Sequence, residues 1–531
     1  MYRIISDGST FNNDKNSQRQ KSKHNSLADD ATAHELNDIF ADVFSTRDID
    51  SFEEASSFPP QLHTSDVIVT EAEVHSLLLK RKSNSAGADG VPGSFYRTFA
   101  DLLSEPLTII YNRAIQTSVF PSFWKLANII PIPKANSLDF RPISILPFPS
   151  KILEIIIRDR LILPIISRQM DSRQFAFIPE KFGGCNNACL SIRLSILEHF
   201  TKISTNSVNL LTVDFRKAFD TVSHSKVLEI LQNDFLCNSH IIKIVKSYLE
   251  SRFQHVCTKT VTTHWRQVTS GVPQGSILGP LLFVTYINDL PQHKNAKIIA
   301  YADDLTVLHL TNINDVDSNT EFQKIVDCIS EWSTQKKLII NVKKTQILRI
   351  ERNPSMNSDI ILYDTPVEEV NSVRILGMNF TSDLRWSNQF SHIYKKSCRG
   401  LSIVKRLRLN HNSSNVILQA YKGLVFSQLS YSWPVLCDLN KVYFKKFEQL
   451  DRLAMKWANV SQSCVPSLRA RLDSSCIRLI NKVSVHGENH PLSKFFVKRK
   501  NNNIRHTRTL MPFKRKSALY NNSFVRFSVF S

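Results

Sequence analysis

Apolar residues along the chain recur with two periods, and their order outlines the fold. Leu36, Ile39, Phe40 and Val43 fall at helical spacing and predict a helix over 33–44. A second helix is predicted through Leu77, Leu78 and Leu79, opened by Thr70-Glu71-Ala72-Glu73, a hydroxyl followed three residues later by a carboxylate. A helix near 99–114 and a strand over 127–133 ending at Lys134 come next, with Arg141 seven residues beyond that lysine. Residues 151–163 are amphipathic, and Pro164 is expected to stop their helix. Val208-Asn209-Leu210-Leu211-Thr212-Val213 is an almost unbroken apolar run that ends at Asp214, as suits a central strand covered on both faces. A helix over 225–232 follows, then the turn Gly271-Val272-Pro273-Gln274-Gly275, which feeds a helix rich in Leu and Phe. Two β-prone runs around Asp303-Asp304, a helix over 319–336 and a strand over 338–341 complete the central pattern. Beyond about 385 the pattern is helical.

The acidic pair is the candidate chemistry. Ile298 and Ala300 lead into Asp303-Asp304, and Leu305 and Val307 lead out, which predicts a hairpin with the pair at its turn. Two carboxylates ~4 Å apart at an effective dielectric of about 20 repel by ~4 kcal/mol. A divalent cation relieves that repulsion, and oxygen-only ligands suit magnesium. Asp-Asp is also ordinary turn chemistry, so the pair by itself decides nothing. The order strand, helices, hairpin, helix, strand is that of a ferredoxin-like split βαβ sheet. There the end of the first strand lies beside the hairpin, bringing Asp214 to Asp303 and Asp304. Three carboxylates so arranged suit two ions about 3.5–4 Å apart.

Charge narrows the partners. Lys and Arg number 67 against 47 Asp and Glu, a net charge of +20. That excess favours a polyanion, either nucleic acid or an acidic surface. The stretch 491–531 contains ten Lys or Arg and no acid, as expected of a flexible polyanion-binding tail. Nine scattered cysteines show no zinc-knuckle spacing, which fits a reducing compartment. No apolar run reaches the ~18–20 residues needed to span a bilayer. Met1-Tyr2-Arg3-Ile4-Ile5 is too short for a signal-peptide core. An intracellular protein, nuclear or cytoplasmic, is expected, with no membrane partner.

Tyr301-Ala302-Asp303-Asp304 stands in order with Asp214-Phe215-Arg216-Lys217-Ala218-Phe219-Asp220, with Gly271-Val272-Pro273-Gln274-Gly275-Ser276, with Asn341-Val342-Lys343-Lys344-Thr345 and with Val373-Arg374-Ile375-Leu376-Gly377. With these motifs the chain resembles the reverse transcriptases of non-long-terminal-repeat, LINE-type and jockey-like retrotransposons, over roughly residues 70–390. Each motif alone is weak, and their order is what is specific.

The resemblance implies an α+β, right-hand polymerase of fingers, palm and thumb, with the split βαβ sheet as palm and a mostly helical C-terminal region. It implies RNA-directed DNA synthesis from dNTPs on an RNA template and a DNA primer or target, with two Mg2+ ions and Mn2+ as the substitute. Asp214, Asp303 and Asp304 match the family's catalytic, metal-holding carboxylates, and the Phe215 carbonyl is a further metal ligand. Phe219 matches the bulky residue that excludes a ribose 2′-hydroxyl, although a core phenylalanine is the plainer reading. Gln274 and Gly275 match the loop lining the nucleotide, with a satisfied turn residue as the alternative for Gln274. Lys134 and Arg141 match the residues gripping the triphosphate. Lys344, with Lys343 beside it, matches the lysine proposed to protonate pyrophosphate. Tyr301 and Gly377 are expected at the primer and template, a packed hairpin tyrosine being the alternative for the former.

The expected divisions are 1–64, a disordered linker remnant with one short helix; 65–205, fingers and N-terminal extension; 206–380, palm; 381–470, helical thumb or connection; and 471–531, basic tail. The chain also departs from the family. Ala86-Gly87-Ala88-Asp89-Gly90 replaces Pro-Gly-Pro-Asp-Gly, and Ala176 and Ile178 stand where Gly and Arg are usual. These departures keep a second reading open, a decayed or co-opted polymerase relic that binds nucleic acid without synthesis. A third, RNA-templated RNA synthesis, is disfavoured by Phe219. Full-length relatives carry an endonuclease that the mostly polar residues 1–64 cannot hold. A 5′-truncated element or a partial gene model is therefore expected, with a partner protein or the upstream endonuclease domain missing from this chain.

Overall fold

The computed structural model describes residues 30–45, 67–134, 139–177, 183–200, 206–258, 260–312, 317–351, 359–410, 413–431, 433–460, 465–487, 490–498 and 510–512. The expected disordered N-terminus, the linker up to 64, Ile178 and most of the basic tail lie outside the described residues. The chain divides into two compact units, Met1–Ile165 with Phe219–Leu282, and Ile166–Ala218 with Phe283–Ser531. The strands used below are β1 (Leu126–Pro133), β2 (Phe140–Ile145), β3 (Asn206–Val213), β4 (Arg252–Val256), β5 (Arg266–Val268), β6 (Ala296–Tyr301), β7 (Asp304–Asn312), β8 (Gln346–Ile350), β9 (Glu368–Glu369), β10 (Ser372–Ile375) and β11 (Met378–Thr381).

The first unit holds a four-stranded sheet in the order β2-β1-β4-β5. The expected early helix spans Asp30–Ser45 and packs Ala33, Leu36 and Phe40 against Ala127, Ile129 and Val256 of this sheet. Thr70 caps the helix Glu71–Lys80, its hydroxyl accepting from the Glu73 N–H at 3.3 Å. Pro164 does not end its helix. Helical backbone runs on to Ile166 because Ile157–Ile162 winds as a π-turn, with Leu163 N–H reaching the Arg158 carbonyl. The wider turn changes the register in which a proline ring would meet a preceding carbonyl.

Beneath the Gly271–Gly275 turn lies Glu154, fully buried. Its Oε2 accepts the Ile277 and Leu278 N–H groups at 2.7 and 3.0 Å, at the start of the helix Leu278–Tyr286. The Tyr248 hydroxyl donates to the same oxygen at 3.4 Å. Burial pushes this carboxyl up, while those N–H groups and the charges of Arg252 and Lys151 draw it down.

The second unit is built on a five-stranded sheet in the order β9-β8-β3-β7-β6. Taking β3, β6, β7 and β8 as strands one to four, the sheet order is four-one-three-two with every neighbour antiparallel, as the split βαβ order requires. β3 is central and paired on both sides, and Val208, Leu210, Leu211 and Val213 are buried, as the apolar run predicts. One polar rung crosses three strands. Asn209 stands opposite His309 on β7 and Arg349 on β8, with Nδ2 donating to His309 Nδ1 at 3.2 Å and Oδ1 accepting from Arg349 at 3.1 Å. Glu369 of β9 takes the Arg349 Nε–H at 2.8 Å.

The strand expected over 338–341 is not one. Lys337 is left-handed, and Ile340 makes only an isolated bridge to Phe215. A 3-10 turn over Val342–Lys344 intervenes before the ladder resumes as β8. The later helices Ser387–Asn410, Lys441–Trp457 and Leu468–His486 join the core that continues from the sheet through Tyr421 and Trp433. Among the described residues no helix is long and apolar enough to cross a membrane.

Replacing Glu154 by Ala leaves two helix-start N–H groups and the Tyr248 hydroxyl without their acceptor. Glu154→Ala is expected to cost on the order of 3 kcal/mol of unfolding free energy, measured from the guanidinium denaturation curve.

Candidate active site

β3 and β7 run antiparallel from Asn206↔Asn312 to Val213↔Leu305. Continued by one step, that register sets Asp214 across from Asp304. The β6–β7 hairpin is tighter than expected. Tyr301 pairs with Asp304, so the two-residue turn is Ala302-Asp303, and Asp304 already belongs to β7. Ala302 has φ of 55°, the left-handed region that a first turn position of this kind demands and glycine usually fills.

Asp214 is held from the far side by residues after the helix Ser318–Gln335. Asn341 N–H donates to the Asp214 carbonyl at 2.7 Å, and Asn341 Nδ2 to Asp214 Oδ2 at 3.2 Å. Lys344 Nζ lies 3.7 Å from the same oxygen. The Asp304 carboxyl is pushed up to about 6 by burial first, then by the negative charges of Asp303 and Asp214. The acids therefore sense one another, although Asp304 keeps an open face to solvent. That crowding is what a divalent ion relieves, so the donor chemistry fits one. Among the described residues, however, no three His, Cys, Asp or Glu side chains are gathered as a ready metal-holding group.

Phe215 sends its ring inward, edge-on to Trp332 at 6.3 Å between centroids, while its backbone bridges to Ile340. Tyr301 is half-buried on the core of its unit, and its hydroxyl is held protonated by burial and by Cys185. Gly377 lies in the turn between β10 and β11 with φ of 81°. A Cβ there would stand 3.3 Å from the Tyr431 ring, so its nearest neighbour is the helical region and not an acid.

The remaining candidates belong to the first unit. Phe219 sits in a 3-10 turn over Ala218–Thr221, and its carbonyl accepts from Val272 N–H at 2.8 Å. Gln274 Nε2 donates to Asp220 Oδ1 at 2.7 Å, and Ser144 N–H donates to the Gln274 carbonyl at 2.8 Å. Gly275 has φ of 127°, and a Cβ there would meet the Ser144 carbonyl at 2.5 Å, so this position requires glycine twice over. Ser144 lies on β2, the strand that carries Arg141. Ile132 of β1 pairs with Arg141, and Lys134 follows two residues later, so both cations share one face of the β1–β2 hairpin. Arg141 is exposed, and Lys134 makes a loose ion pair with Asp139 at 4.0 Å.

Motif reading missed the residues that hold these candidates: Glu154 and Asp220 in one unit, Gln174 and Asn341 in the other. Asp220 and Asn341 stand inside the quoted motifs, where an acid or amide beside a site residue was the available signal. Glu154 gives no local signal, being one acid in an apolar helix.

Residues 132–380 match the family described as reverse transcriptase (RNA-dependent DNA polymerase). The chain is 24% identical over 467 residues to the RNA-directed DNA polymerase from mobile element jockey of Drosophila melanogaster, covering 82% of this chain and 50% of that protein. Over this region the chain is similar to jockey-like, non-LTR reverse transcriptases. The probable RNA-directed DNA polymerase from transposon X-element of the same fly is 26% identical, covering 69% of this chain and 41% of that protein. The chain thus spans about half the length or less of these relatives. Among solved structures, telomerase from Candida Tropicalis in complex with a fragment of telomeric RNA is 13% identical, with a TM-score of 0.37 over 78% of this chain and 70% of that one. Every candidate from Lys134 to Gly377 falls inside the matched reverse transcriptase region.

The raised Asp304 carboxyl gives a signed pH dependence. The folded chain keeps a proton that the unfolded chain has lost, so this group lowers stability as pH rises between the ordinary 3.8 and about 6. Asp304→Asn is expected to flatten that fall and to raise the melting temperature at pH 7. Thermal melts of both proteins from pH 4 to 7 check it, and parallel curves for the two would contradict it.

Proposed function

We propose that the chain is an RNA-directed DNA polymerase that extends a primer 3′-hydroxyl with dNTPs on an RNA template. The observation that carries this reading is the β3–β7 register, which sets Asp214 opposite Asp304 beside the Ala302-Asp303 turn. The reverse transcriptase match over 132–380 supports it. In this reading the sheet of the second unit is the palm, the β1–β2 hairpin belongs to the fingers, and the helices from Ser387 onward form the thumb.

Asp214 and Asp303 would hold two Mg2+ ions, with Asp304 and the Phe215 carbonyl contributing, and Mn2+ as the substitute. When bound, such ions supply a lowered hydroxyl pKa and charge neutralisation at phosphate. The chain's own residues do the rest. Asn341 holds the Asp214 carboxylate by its Oδ2. Lys344, whose Nζ lies 3.7 Å from that carboxylate, would donate the proton to the departing pyrophosphate. Lys134 and Arg141 offer a point charge and a planar fork on one hairpin face to the triphosphate. Asp220 fixes the Gln274 amide, and the turn at Gln274 and Gly275, packed on the Ser144 backbone, would line the nucleotide. Phe219 excludes the 2′-hydroxyl. The net charge of +20 suits template, primer and target DNA.

Primer extension on an RNA template tests the reading. Asp303→Asn is expected to lower kcat by about 10³-fold or more while leaving nucleic-acid binding intact. No extension by the unaltered protein, with binding that weakens about 10³–10⁵-fold from 50 to 200 mM salt, would assign it instead as a binding relic. Phe219→Ala is expected to admit ribonucleotides, read as a fall of about tenfold or more in the dNTP-over-NTP preference in kcat/KM.

A further inference from the structure

The turn that presents Asp303 is held in a left-handed conformation by a residue from a distant loop. Gln174 is buried and makes a parallel bridge to Ala300. Phe175 N–H donates to the Ala300 carbonyl, and Ala300 N–H to the Arg173 carbonyl, both at 2.9 Å. The segment 173–175 thus covers the outer edge of β6. Its own anchor is firm: Arg173 donates to the Leu290 and Pro291 carbonyls at 2.7 and 2.6 Å, and Asn288 Oδ1 accepts from Asp171 N–H at 2.8 Å. From this platform the Gln174 side-chain carbonyl accepts two backbone N–H groups, Ala176 at 2.9 Å and Ala302 at 3.1 Å.

A non-glycine residue at φ of 55° persists only where its surroundings over-determine it. The Gln174 oxygen is the side-chain group that receives the Ala302 N–H. Its amide nitrogen is buried with no hydrogen-bond partner among the described residues. A glutamine kept only for packing would be better replaced by an apolar side chain of its length, because an orphan buried donor is unfavourable. The oxygen is what the position needs.

We propose that Gln174 is the positioning residue of the active site, fixing Ala302 and through it the direction of the Asp303 carboxylate. The proposal rests on the polymerase reading for its consequence in rate, but not for the clamp itself. Gln174→Met keeps the length and removes the acceptor, and Gln174→Glu keeps an acceptor oxygen. In the full chain, amide hydrogen exchange and primer extension are measured for both. Gln174→Met is expected to speed exchange at Ala176 and Ala302 about tenfold or more, and to lower kcat at least tenfold with dNTP KM within about twofold. Gln174→Glu is expected to restore the protection and part of the rate. Unchanged exchange at Ala302 in Gln174→Met overturns the proposal. Exchange raised equally across the whole sheet, with no rescue by Gln174→Glu, marks a general packing role and overturns it too. If the unaltered protein extends no primer, the polymerase reading fails while the exchange comparison still decides the clamp.

Discussion

An antiparallel ladder holds the acids in place. Asp214 lies one step past the last β3–β7 pair, so its position opposite Asp304 is only as secure as that register. A slip of one residue would turn every β3 side chain to the other face. Apolar burial alone resists this weakly here, because both faces of β3 are covered and both accept apolar residues. The Arg349–Asn209–His309 rung supplies what hydrophobicity lacks: three polar side chains meet across three strands in one alignment only. Buried polar groups of this kind specify alignment more than they add stability.

The chemistry at the end of the ladder is held against its own repulsion. Burial, and then like charges, raise the Asp304 carboxyl, and the left-handed Ala302 adds backbone strain of roughly 1–2 kcal/mol. Opposing these are local, directional contacts: Asn341 and Lys344 at Asp214, and Gln174 at the turn. None of the three is a carboxylate, so they stabilise without adding negative charge. The candidates of the first unit are also held by directional contacts, there made by carboxylates. Asp220 orients Gln274, and Glu154 fixes the start of the helix that follows Gly275.

Much of this was legible in the chain. The apolar run 208–213, the alternating hairpin and the helix 319–336 each show their period directly, because burial of one face or two dictates the residue pattern. The Thr70 cap is local chemistry and appears as expected. Errors fell where two local rules competed. Leu338-Ile339-Ile340 looks like a strand, but Lys337 and the 342–344 turn break it, and the ladder moves to 346–350. Pro164 looks like a stop, but the π-turn before it carries the helix past.

The sequence alone determined the candidate site residues and the order in which the elements follow, since periodicity and motif spacing are properties of neighbours along the chain. Only the tertiary structure decided which residues hold those candidates in place. Gln174, Glu154 and the Asn209 rung act through hydrogen bonds to partners a hundred or more positions away, and a directional contact over that separation leaves no local pattern to read. The fold likewise set the turn at Ala302-Asp303 and not at Asp303-Asp304. Where a hairpin closes depends on the register of its ladder, and strand propensity is the same on either side of one residue.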